Sequence, residues 1–196
     1  MSFTPSDEEQ KYFQQREKEK REQIRKNLTD AAEELQESRK VADTVGTDKD
    51  EVVQRLRALG FDGDTARVFD LMPLVFVAWA DGSVSIRERR SIMKIVEQRG
   101  IESGSHASQL VETLLEREPS PAFLDETLAL LREIVGMSGE RADDIVGLSV
   151  QVAEASGGLL GLVGDKVSTE ERDLIQHIAD QLGEKAQSAF HKRFDD

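Results

Sequence analysis

The chain has 196 residues, with 39 carboxylates against 26 Lys and Arg, a formal charge of −13, and no cysteine. So acidic a surface repels phosphate backbones, which argues against a nucleic-acid partner and favours cations, basic proteins and basic peptides. The missing cysteines exclude disulfides, thiolate nucleophiles, Fe–S clusters and cysteine-based zinc sites.

In chain order, residues 1–45 read as a charged N-terminal helix and linker. Ser6 caps it, Glu9 follows three residues later, and no Gly or Pro interrupts the run to Lys40. Asp7–Lys11, Glu17–Arg21 and Glu22–Lys26 are acid–base pairs four apart. Apolar residues are few: Tyr12 and Phe13, then Ile24, Leu28, Ala31, Ala32 and Leu35. Sustained heptads are missing, so the segment predicts a helix that hugs one narrow stripe or projects into solvent. VADTVGTDKD then reads as a linker.

Residues 46–196 form a second region, with the apolar periodicity of packed helices. Val52, Val53, Leu56 and Leu59 mark the first, ended by Gly60. Asp64 or Thr65 opens a largely apolar helix to Ala80, which Pro73 should bend or split. Further helices are expected at Ser85–Arg99, His106–Arg117, Pro121–Val135, Glu140–Ala155 and Thr169–Leu182, with a last one from Gly183 to about Phe194. No strand is evident. Aromatics are only 5% of the chain, so the core rests on Leu, Ile, Val and Ala.

A repeat runs through this region. VSIRERRSIMKIVEQRG from Val84 matches VSTEERDLIQHIADQLG from Val167, with identities that include Ser85/Ser168, Glu88/Glu171, Ile92/Ile175 and Gly100/Gly183. Upstream, Val77-Ala78-x-Ala80-x-Gly82 corresponds to Val152-Ala153-x-Ala155-x-Gly157. The fold expected is all-α, a helical bundle of two pseudo-repeated units plus the extra charged helix. Each S-x-x-E reads as a capping box, preceded by a stapling valine.

The segment VFVAWADGSVSIRERRSIMKIVEQRGI resembles the hallmark of the TerB-like family, the tellurite-resistance-associated helical domain. A hydrophobic helix is followed by Ala80-Asp81-Gly82-x-Val84-x-x-x-Glu88 and then an amphipathic helix. LVETLLEREPS is similar to the family's next helix, and the resemblance spans roughly residues 50–185. It implies an all-α bundle of two similar units. It also implies association with tellurite and other stress responses, with bacterial defence, and with complexes near the inner membrane. No catalytic reaction defines the family, and metal binding by its acidic residues has been suggested.

Asp81-Gly82-x-Val84-x-x-x-Glu88 overlaps half of an EF-hand loop, yet the earlier ligand positions fall on Val77 and Trp79, which lack side-chain oxygens. An EF-hand is therefore excluded. If the repeat brings its turns together, Asp81, Glu88, Asp165 and Glu171 could share a divalent cation such as Ca²⁺, although Ser156 stands where Asp81 does. In GGLLGLVG, Leu159, Leu160, Leu162 and Val163 offer an apolar loop that folds back or docks a partner or membrane.

P-loop, G-x-S-x-G, G-x-G-x-x-G and H-E-x-x-H patterns are absent. Trp79 reads as core and His177 as filler. The chain is therefore expected to be a non-enzymatic scaffold or binding protein, cytoplasmic or peripheral to the inner membrane. Its partners would be proteins, with oligomerisation through the N-terminal helix left open. The second reading is a cation-binding protein using Asp81 and Glu88.

Overall fold

The computed structural model describes residues 7–135, 139–156 and 167–194, and among these the chain is all α-helical. The order is α1 (Asp7–Val45), α2 (Asp50–Ala58), a 3-10 helix (Thr65–Leu71), α3 (Met72–Ala78), α4 (Ile86–Gln98) and α5 (His106–Glu116). It continues with α6 (Pro121–Val135), α7 (Gly139–Ser156), α8 (Thr169–Leu182) and α9 (Glu184–Phe194). None is long and apolar enough to cross a membrane among the described residues.

The helix boundaries follow local chemistry. Pro73 splits the expected Asp64–Ala80 helix: the stretch before it winds as a 3-10 helix, and proline then occupies the first turn of α3, where its missing N–H costs nothing. The Ser105 side chain accepts from the Ser108 N–H to start α5, and Ser120 does the same for Phe123 at α6. Gly60 and Gly100 follow α2 and α4 at φ +93° and +72°, a left-handed conformation that side chains disfavour.

The core follows the expected aliphatic composition, with Leu56, Val68, Leu74, Ile92, Val111, Leu130 and Ile175 fully buried. Phe61 packs edge-on against Phe69 and stacks with Phe123, closing one side. α3, buried along its whole length, touches α4, α5, α6, α7, α8 and the 3-10 helix, and α7 touches α3, α4, α6, α8 and α9, so these two form the centre of the body.

α1 is one helix with two environments. Residues 10–36 are exposed without exception, whereas Val41 and Val45 are buried in the core. The expected linker is thus shorter than VADTVGTDKD: its first five residues complete α1, and only 46–49 connect to α2. Gly63, in the loop after α2, clamps this end. Its N–H donates to the Glu37 carboxylate, and its carbonyl accepts from the Thr44 hydroxyl. A Cβ on Gly63 would stand 2.6 Å from Lys40 Cβ, so only glycine lets the loop lie this close to the helix. Arg55 on α2 grips both Glu126 (2.7 Å) and Glu133 (2.6 Å), two turns apart on α6.

Candidate functional site

The two acidic turns fold alike where both are described. Ser85 precedes α4 in extended conformation, its N–H donating to Glu88 Oε2 at 2.7 Å while its Oγ accepts from the Glu88 N–H at 3.2 Å. At α8 the Ser168 N–H donates to Glu171 Oε2 at 2.7 Å, and Ser168 Oγ accepts from the Glu171 N–H at 3.1 Å. Val84 and Val167 are half-buried against the core, as stapling residues should be. Gly82, at φ +87°, turns the chain between α3 and α4.

Glu88 and Glu171 are only 2% and 3% exposed, unusual for carboxylates. Burial pushes the Glu88 carboxyl above its usual range; its bonds with Ser85 pull the other way, and the charges of Glu171 and Asp81 raise it further. The fold therefore brings the two capping glutamates, 83 residues apart, within electrostatic reach of one another. Asp81 is exposed and closes its own turn, accepting from the Ser83 N–H at 3.0 Å.

Of the four carboxylates expected to share a cation, Asp81, Glu88 and Glu171 are placed, and Asp165 lies outside the described residues. Among the described residues no three His, Asp or Glu side chains gather in a metal-holding group. Leu159, Leu160, Leu162 and Val163 likewise lie outside them. Trp79 is half-buried, and its Nε1–H donates to the Leu114 carbonyl at 2.9 Å, tying the first turn to α5. That is a packing role, in keeping with the expectation for this residue.

A cavity of about 250 Å³ was not legible in the sequence. It opens between the end of α1, the 3-10 helix, the end of α4 and the start of α7, over Phe69, Ile101 and Leu131. Arg67 donates to the Gly100 carbonyl (3.1 Å), Arg99 to Asp70 (3.1 Å) and Arg141 to the Val45 carbonyl (3.0 Å). Burial raises the Asp70 carboxyl despite the charges of Arg99 and Arg141. Arg67 and Arg141 thus supply donors to carbonyls at or just past the C-terminal ends of α4 and α1, where intrahelical partners are lacking, whereas Arg99 pairs with the Asp70 side chain. No spacing links them, because each comes from a different segment.

Among the described residues, exposed large apolar side chains gather on α1, with Ile86 on α4 standing apart. Phe13, Ile24, Leu28 and Leu35 are 62%, 50%, 66% and 53% exposed, on a helix whose neighbours begin only near Glu34. Large side chains left this open on one element are the surface that asks for a partner. The stripe was visible in the sequence; that the body leaves it uncovered was not.

Comparison with protein-family models, with curated proteins and with solved structures finds no match to this chain.

Proposed function

We propose that this chain is a non-catalytic binding module: a body of two pseudo-repeated helical units that presents the first two-thirds of α1 as an attachment arm. One observation carries the reading, the unbroken exposure of residues 10–36 with Ile24, Leu28 and Leu35 among them. Support for the repeated body comes from its helix pairings. Exchanging α3 with α7, α4 with α8 and α5 with α9 converts the α3–α8 contact into α7–α4, α4–α5 into α8–α9, and α3–α5 into α7–α9, and all six pairings occur. The resemblance to TerB-like domains supports a place in a stress-response assembly. The test is affinity capture from the source cells with the full chain and with residues 37–196, which keep the buried Val41 and Val45, the fold of the shorter chain being checked by circular dichroism. Partners held by the full chain and lost by the shorter one support the arm. Identical profiles overturn it.

A second reading, divalent-cation binding at Asp81 and Glu88, is favoured by the two buried glutamates within electrostatic reach, whose mutual repulsion a cation would relieve. Calorimetric Ca²⁺ titration tests it. Binding heat in the wild type that Asp81→Ala abolishes supports it, and no heat at millimolar Ca²⁺ removes it.

A further inference from the structure

Ile24, Leu28, Ala31 and Leu35 are spaced four, three and four apart. At 3.6 residues per turn they fall within about 60° of arc, a short version of the seam by which two helices pack. The docked face of α1, which carries Glu37, Val41 and Val45, is centred roughly 110° away by the same geometry. The body therefore leaves the seam uncovered from Ile24 to Leu35 and meets this side of α1 only beyond it, at Ser38 and Ala42. The arm from 10 to 36 is about 40 Å of helix at 1.5 Å per residue.

Charge along α1 is segregated. Residues 11–26 hold seven Lys and Arg against three Glu, a net +4, while 30–37 hold four carboxylates and no cation, a net −4. The body beyond is acidic as well, with 28 carboxylates against 17 Lys and Arg over residues 46–196.

We propose that α1 pairs antiparallel with α1 of a second copy of this chain, Ile24 of each facing Leu35 of the other and Leu28 facing Ala31. The inference rests on the arm as an attachment surface and names what attaches. Charge selects both the partner and the direction. In this register, residues 14–26 of one copy, with six Lys and Arg against three Glu, run along 33–45 of the other, which hold four carboxylates and two cations. Parallel pairing would set +4 on +4 and −4 on −4, and would crowd two acidic bodies at one end. Antiparallel pairing separates the two Val41 anchor points by about 35 Å along the axis, several Debye lengths at about 8 Å each in physiological salt.

Because the chain has no cysteine, introduced thiols report alone. Ile24→Cys and Leu35→Cys proteins, at full length and under mild oxidation, are each expected to stay uncrosslinked, and a one-to-one mixture to give a covalent dimer. Sedimentation equilibrium of the wild type should give twice the chain mass, with dimer affinity lowered by about tenfold or more in Leu28→Glu. Crosslinking of each variant with itself would establish the parallel arrangement and overturn the proposal. A monomer mass would also overturn it, including a monomer that floats with phosphatidylserine vesicles through its basic segment. If the mass is monomeric while the full chain still captures partners that residues 37–196 lose, self-pairing fails and the attachment arm survives.

Discussion

The arm and the body are both helical, for different reasons. Body helices are fixed by what they bury and by how they are stopped: Ser85 and Ser168 close their first turns, Pro73 starts α3, and Ile92, Leu130 and Ile175 have no access to water. Residues 10–36 have none of these supports. They are helical because nothing in the sequence breaks the helix and because side chains four apart hold each other. Arg21 donates to Glu17 at 3.0 Å, and Gln15 and Gln23 donate to Glu19 and Asn27. Such pairs contribute only about 0.2–0.5 kcal/mol each. A long helix resting on them alone is marginal in water, which gives the arm a physical reason to pair.

The largest test of this contrast lies within α1 itself. Val41→Asp would bury an unpaired charge and should destabilise the fold by about 3 kcal/mol or more. Leu28→Asp, on the same helix but in water, should change the body's unfolding by less than about 0.5 kcal/mol. Denaturant melts on dilute protein measure both, and equal losses would mean that arm and body are not separate.

Gly63→Ala comes next. Its Cβ would collide with the Lys40 Cβ, which sits on the backbone and cannot swing aside, so the clamp on α1 should loosen at a cost of about 1–3 kcal/mol. Faster hydrogen exchange in 37–45, with α4 and α8 unchanged, is the expected signature. Ser85→Ala and Ser168→Ala should each cost about 1 kcal/mol by removing a cap. A much larger loss at one of them would show that the two copies carry unequal loads.

The pH response of Glu88 sharpens the same contrast from the body's side. Its carboxyl titrates above the unfolded value of about 4.5, so the folded state holds a proton that the unfolded chain has released. Stability therefore falls as pH rises from that value through the raised one, and stays lower above it. Glu88→Gln should remove this slope while its amide oxygen still accepts the Ser85 N–H. Melts across roughly pH 4–8 decide it, and an unchanged slope would assign the effect to another group. The smallest effect belongs to the arm: Glu17→Lys should weaken its helicity by about 0.3–0.5 kcal/mol, seen by circular dichroism at low salt and muted at high salt.

Much of this architecture could be read from the residues. Helical periodicity located the elements of the body, and the S-x-x-E boxes form at both turns, because a cap depends on four adjacent residues and little else. The reading of residues 41–50 as a linker went astray for a matching reason. Valines 41 and 45 are sparse, polar-flanked positions, and only the approach of the 3-10 helix and Gly63 makes them core. The pairs along α1 were half legible: Glu17–Arg21 forms, whereas Glu22 lies 4.0 Å from Lys18. In water such partners exchange at little cost.

By itself, then, the sequence determined what is local or periodic: helices without strands, the capped turns and their repetition, an acidic surface, and a charged first helix with a thin apolar stripe. Only the tertiary structure decided which surfaces meet. It set Glu88 within reach of Glu171, drew Arg67, Arg99 and Arg141 around one cavity, and buried the end of α1 while leaving Ile24, Leu28 and Leu35 in water. The physical reason is one of range. Caps and helical faces are set within one or two turns of chain, whereas burial depends on elements far apart in sequence that the packed core brings together.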